Sequence, residues 1–192
     1  MRCINCGAFA LLCFCELCEL ELSEFSLNVR KLDNNFKVYS FYKYHEIQHL
    51  LHSKHYFYGY FVYKMLLAKL SFAKFKDFFD PRMTINVIAL DDKVEDMLYS
   101  HSAILARYLK TKFVKPVFNV LKAQNRIKYS GKSLEFRQKH KRNYKLLKTI
   151  HEPVILVDDI VTTGSSLLEA KKVLEENKIS VLFALVLADA KV

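Results

Sequence analysis

The chain has no tryptophan, and only four glycines and three prolines in 192 residues. So few chain breakers exclude a collagen-like, glycine-linker or proline-rich architecture. No apolar run reaches about 18 residues, so no membrane-spanning helix is expected. The N-terminal stretch GAFALLCFC is apolar but short, and Glu16, Glu19 and Glu21 follow it at once. A secretory signal is therefore not expected. Cysteine is absent after residue 18. A reducing, cytoplasmic setting is the expected location, at most peripheral to an inner membrane, and cysteines there bind metal or stay free. What is present in quantity is apolar surface. The hydrophobic fraction of 52% suits one ordinary domain with a real core and a small appendage.

Acidic residues are scarce in one place. Residues 122–148 hold ten basic side chains and one acid, Glu135, which accounts for nearly all of the net charge of +10. A concentrated cationic segment attracts polyanions. This segment reads as a mobile loop. Its basic members Lys132, Arg137, Lys139, Lys141 and Arg142 are candidate contacts to single-stranded DNA (ssDNA), with Tyr129, Phe136 or Tyr144 available to stack on bases.

The cysteines form two pairs, Cys3-x-x-Cys6 and Cys15-x-x-Cys18. Each pair can grip an ion from a tight turn, and four thiolates complete a tetrahedron that suits Zn²⁺. Gly7 fits the first turn. Cys13 is the spare; it could replace Cys15, but the paired spacing favours Cys15. So short a segment builds no core of its own, so the ion would supply its folding energy. Residues 1–24 are read as this module and 25–192 as the main domain.

Residues 36–44 are β-prone, and 45–75 read as one long helix, apolar nearly all round. His45, His49, His52 and His55 follow helical spacing and are read as a polar stripe rather than a metal site. Residues 85–90 read as a buried strand, 100–112 as a helix, and Pro116 as lying near a strand start. In the last forty residues PVILV is a strand, 167–177 a helix and SVLFALVLA a strand. That succession is a parallel βαβ crossover, and its continuous apolar strands imply a sheet covered on both faces.

The stretch VILVDDIVTTGSS, residues 154–166, stops an apolar strand at Asp158 and Asp159 and follows it with Thr162, Thr163, Gly164 and Ser165. In an open α/β sheet, ligands sit beyond the carboxyl ends of the strands. Ser166-x-x-Glu169 reads as a capping box that starts the next helix near Leu167. The loop before a helix offers free amides and a favourable dipole to a phosphate, and Gly164 lets the backbone come close. Acids upstream and a phosphate cradle downstream suit a ribose 5-phosphate. A P-loop would need a GK[ST] ending.

These thirteen residues resemble the phosphoribosyl-pyrophosphate (PRPP) motif of type I phosphoribosyltransferases. Joined to an N-terminal four-cysteine module, the chain further resembles the ComF family of competence proteins. That resemblance implies an α/β, phosphoribosyltransferase-like parallel sheet with helices on both faces and PRPP-type ligands with Mg²⁺. It also implies a role in uptake of transforming ssDNA, beside a DNA-uptake channel or helicase. The family's pyrophosphate turn is replaced here by VIALDDKVED, whose Asp91 and Asp92 would repel pyrophosphate unless Mg²⁺ intervenes or they point away. Asn143 fits the family's downstream Asn.

Overall fold

The computed structural model describes residues 1–33, 35–56, 58–90, 99–125 and 142–192. Asp91 and Asp92 fall outside the described residues, as do Lys132, Arg137, Lys139 and Lys141 of the basic segment.

Among the described residues, eight strands make two sheets. β1 (Asn28–Lys31), β2 (Lys37–Lys43), β3 (Ile85–Ala89), β4 (Val114–Pro116), β7 (Val154–Val161) and β8 (Val181–Asp189) form a six-stranded sheet in the order β1-β2-β8-β7-β3-β4. Only the β1–β2 pairing in it is antiparallel. β5 (Leu121–Ala123) and β6 (Tyr144–Leu146) form a separate antiparallel pair. The fold is therefore mixed α/β with a mostly parallel sheet. Pro116 closes β4 instead of opening it; its missing N–H is harmless on an edge strand.

The helices among the described residues are α1 (Glu16–Ser23), α2 (Tyr44–His52), α3 (residues 59–78), α4 (His101–Tyr108) and α5 (Ser165–Glu176). α3 starts as an α-helix at Gly59–Phe61, winds as a π-helix through Val62–Ala73, and returns to α at Lys74–Phe78. The long helix expected over 45–75 is thus broken. A 3₁₀ turn, Ser53–His55, ends α2, and the chain re-enters helix at Gly59. Gly59 packs directly under the Ser53 carbonyl and the Tyr99 hydroxyl, where no Cβ fits. The placement of the break matters, because Lys54 within it reaches the end of the central strand β7.

The sheet is buried on both faces. Ile85, Val87, Ile155, Val157, Leu185 and Leu187 pack with α2, α3 and α4. Ile88, Leu156, Ala184 and Val186 pack on the opposite side, with Leu167, Ala170 and Leu174 of α5. Those three α5 residues keep helical spacing, which is why that segment is legible as an amphipathic helix. Residues 1–24 join the first core rather than standing apart. Cys3, Ala10, Phe14, Cys18 and Leu22 are buried within it, and Tyr42 donates its hydroxyl to the Leu22 carbonyl at 2.6 Å.

The order of strands locates a crevice. From β3 the chain passes through α4 to β4, on one side; from β7 it passes through α5 to β8, on the other. The switch point therefore lies between β3 and β7, and ligands bind there beyond the carboxyl ends in open α/β sheets.

Candidate functional site

β7 runs four residues further than VILV suggests, through Val161. Asp158 and Asp159 thus lie within the last part of a strand, not at the beginning of a loop. Alternation sends them to opposite faces. Asp159 joins the α3–α4 face and is buried. One carboxylate oxygen, Oδ2, meets Lys54 Nζ at 2.7 Å, Tyr63 OH at 3.4 Å and His101 Nε2 at 3.5 Å. Its other oxygen accepts from the Ile160 amide at 2.8 Å. Burial alone would raise the Asp159 pKa, but the charges of His101 and Lys54 overcome it and hold the carboxyl well below the usual range. Burial likewise opposes the charge on Lys54, and Asp159 more than compensates, so that pKa is raised. Tyr63 and Tyr99 are both pushed up, by burial first and then by the Asp159 charge. A lysine 105 positions away carries this network, and sequence spacing holds no sign of it.

Asp158, half-buried, shares its side of β7 with Leu156, and its Oδ1 accepts from the Asp159 amide at 2.9 Å. The loop Thr162–Gly164 follows. Arg30, on the edge strand β1, reaches across to it. Its Nη2 donates to the Thr162 carbonyl at 2.9 Å while its Nε lies 2.9 Å from the buried Asp189 at the end of β8. Arg30 therefore ties the loop to two strand ends. Sequence reasoning misses it, since a lone arginine on a half-exposed strand looks like surface charge. Thr163 Oγ1 and Ser165 Oγ are 2.8 Å apart, and the Ser165 amide donates to Thr163 Oγ1 at 3.3 Å.

Two local readings need correction. α5 begins at Ser165, with Gly164 at its N-cap in the left-handed region, φ 80°, and no side-chain cap. The Ser166–Glu169 capping box does not form. Glu169 instead accepts from two backbone amides, Asn143 at 2.5 Å and Arg142 at 3.1 Å. Arg142, the one described member of the DNA-contact set, is thereby anchored through its backbone to the helix that carries the loop. Gly164 is constrained on its Cβ side as well as by its backbone angle. A Cβ there would strike the Leu32 methyls, so the space beside this glycine is filled by the chain itself.

Both features make Gly164 sensitive. Gly164→Ala adds a left-handed non-glycine residue, about 1–3 kcal/mol, and a clash with Leu32. A lowered melting temperature is expected, with partial recovery in Gly164→Ala/Leu32→Ala. Thermal melts followed by circular dichroism check it; no recovery would mean that Leu32 is not the obstacle.

The first intrahelical bond of α5 runs from the Leu168 amide to the Gly164 carbonyl at 2.9 Å. The amides of Ser165, Ser166 and Leu167 therefore precede any intrahelical acceptor, as at every helix N-terminus. They lie at the carboxyl end of β7, on the strand that borders the crevice.

At the other end of the chain Cys3, Cys6, Cys15 and Cys18 bring their sulfurs within 4.8 Å of one another. A tetrahedral zinc thiolate site has S–S edges of about 3.8 Å, given Zn–S of about 2.3 Å; Cys6 and Cys15 are 3.6 Å apart. The cluster could hold a metal such as zinc. Two turns build it. The Gly7 amide donates to the Cys3 carbonyl at 2.9 Å with Gly7 at φ 77°, and the Ile4 amide donates to the Cys13 carbonyl at 2.8 Å. Burial raises the Cys3 thiol, but hydrogen bonds from the backbone at Cys6, Cys15 and Asn5 prevail and lower it to about 6. Cys18 goes the other way: an Asn5 hydrogen bond lowers it, but burial and the neighbouring thiols prevail and raise it to about 12. Four thiols this close favour a single thiolate unless a cation joins them. Cys13 lies outside the cluster. His49 meets Asn5 at 2.7 Å and His52 meets Tyr44 at 3.2 Å, and neither joins a metal cluster among the described residues.

No helix among the described residues is long and apolar enough to cross a membrane. No protein-family model matches the sequence, and no curated protein matches it. Among solved structures, the chain is similar to a hypoxanthine phosphoribosyltransferase from Staphylococcus aureus. The two are 16% identical with a TM-score of 0.38, over 66% of this chain and 62% of that one. The strand order, rather than that likeness, carries the fold assignment.

Proposed function

We propose that the loop after β7 binds a phosphoribosyl compound, PRPP or ribose 5-phosphate, and that the chain serves competence-type handling of transforming ssDNA. One observation carries the reading: the motif VILVDDIVTTGSS lies at the carboxyl end of a central strand, beside the switch point and at the start of α5. The phosphate would rest on the amides of Ser166 and Leu167, with hydroxyls from Thr162, Thr163 and Ser165 and with the Ser165 amide bonded to Thr163. Asp158 is the carboxylate that suits the sugar diol or a Mg²⁺ ion. Asp159, engaged by Lys54, supports the strand end from behind. The four-cysteine cluster would hold a structural Zn²⁺ and make residues 1–24 a module docked on the main domain. The basic segment, with Lys132, Arg137, Lys139, Lys141 and Arg142, would track DNA phosphates.

If transfer occurs, loss of pyrophosphate leaves an oxocarbenium-like sugar, and cations near the loop stabilise the departing charge. A second reading has a specific observation in its favour. Phe9, Leu11 and Leu17 on the four-cysteine module are 78%, 87% and 78% exposed, which suits a zinc-stapled module that docks a protein partner.

Fluorescence anisotropy with a labelled oligo-dT tests the DNA reading. Binding should be micromolar or tighter and weaken steeply with salt. Reversing charge at Lys139, Lys141 and Arg142 together should abolish it; unchanged binding rejects this segment as the DNA contact. Pyrophosphate release from PRPP across a panel of bases distinguishes a working salvage transferase, and flat traces with every base reject turnover.

A further inference from the structure

α3 and α4 enclose a second feature, on the outer side of the helical layer and away from the loop. A cleft of ≈ 450 Å³ opens between them, lined by Tyr60, Lys64 and Lys76 from α3, Arg107 and Tyr108 from α4, and Lys110 just beyond it. Four cations face one space. No carboxylate is among its described lining, and among the described residues none of the four forms an ion pair. Four charges without an ion-pair partner among the described residues, on a concave wall, focus a positive potential and favour an anion.

The cleft also carries aromatic surface. Tyr60 is held edge-on against Tyr99, ring centroids 5.6 Å apart, and Lys64 Nζ lies over the Tyr60 ring at 5.3 Å. Tyr108 is half-buried across the cleft on α4. Tyrosines held by neighbours offer a base a stacking surface at little entropic cost. The volume suits one drug-sized ligand and is too small for a duplex. The position is separate from the loop: His101, at the start of α4, faces Asp159, whereas Tyr108 stands seven residues on, about 10 Å along the helix axis.

We propose that this cleft binds one nucleoside phosphate, its phosphate held by Arg107, Lys110 and Lys64 and its base laid against Tyr60 or Tyr108. The nucleotide is either free or the phosphorylated end of a single strand; the chemistry of recognition is the same. The proposal does not rest on the phosphoribosyl reading of the loop.

The test is calorimetric titration of the full, zinc-loaded chain with adenosine 5′-monophosphate and with 5′-phosphorylated oligo-dT. Titrations are run with and without ribose 5-phosphate, which carries a phosphate and no base, and the cleft variants assign the binding to the cleft rather than to the loop. Binding is expected, weakening with salt, and adenosine without phosphate should bind at least about tenfold more weakly. Arg107→Ala/Lys110→Ala should lower affinity about tenfold or more, and Tyr60→Leu about fivefold or more, from lost stacking. Lys64→Gln, exposed on the opposite wall, provides an independent variant should the α4 pair unfold the chain. Tighter binding of the mononucleotide or of the oligonucleotide names the source. The proposal is overturned if neither binds, if adenosine binds as well as its phosphate, if a hexaglutamate peptide binds equally, or if folded cleft variants bind like the parent.

Discussion

Cys15→Ser is expected to remove bound zinc altogether, whereas Cys13→Ser keeps one ion per chain. Three thiolates leave a site one ligand short, and a structural zinc supplies about 10–16 kcal/mol in small zinc-finger peptides at neutral pH. Here the cost reaches beyond the module, because Cys3 and Cys18 are buried in the same core as Leu50, Leu67 and Phe72. The loss of zinc should therefore loosen α1 from α3 and lower the melting temperature of the whole chain. Zinc content by atomic emission, with thiol titration alongside, checks it. The parent should show one reactive thiol, Cys13, with zinc and five after chelation and unfolding. Zinc retained in Cys15→Ser, or lost in Cys13→Ser, would mean that Cys13 is the fourth ligand.

Asp159→Ala should be the most destabilising single change near the loop. It leaves Lys54 in a largely buried site without its partner, and breaking a buried ion pair from one side costs about 3–5 kcal/mol. For a chain of this length that corresponds to a melting temperature lower by about 6–20 °C. Lys54→Met on the Asp159→Ala background should restore much of the loss, since an apolar replacement of both partners removes the uncompensated charge. The pH dependence has a defined sign. The Asp159 carboxyl is depressed in the folded chain. Its stabilisation is complete above the unfolded value of about 3.9 and is lost as pH falls below it toward the folded value. Urea unfolding from pH 6 down to pH 3 should show a decline that Asp159→Ala lacks. Equal slopes in both chains would remove Asp159 from the account of acid sensitivity.

Much of this molecule is legible in its sequence where the signal is local. Val154–Val157 are continuously apolar because β7 is covered on both faces, and Leu167, Ala170 and Leu174 repeat at helical spacing because one face of α5 is buried. The two CxxC pairs reveal their cluster for the same reason: each pair closes within four residues. The misreadings arise where tertiary contacts decide. Ser166-x-x-Glu169 has the pattern of a capping box, yet Glu169 serves the amides of Arg142 and Asn143, more than twenty residues upstream. The helical pattern over 45–75 contains no proline, and Gly59 is its local hint of a break; that the break brings Lys54 to Asp159 is a tertiary fact with no local sign. β1 reads Asn-Val-Arg-Lys and is half-exposed, which gives it no apolar signature, although its Arg30 braces the loop. The loop's composition is visible from residue types alone; its bracing requires the fold.

The central claim is that the bend after β7 grips a phosphorylated pentose. Calorimetric titration of the zinc-loaded chain with PRPP and with ribose 5-phosphate, each with Mg²⁺, measures this directly. Saturable uptake of one molecule per chain is expected, weakened about tenfold or more by Asp158→Ala through loss of a charged hydrogen-bond acceptor. A folded, zinc-loaded chain that takes up neither compound would contradict the account.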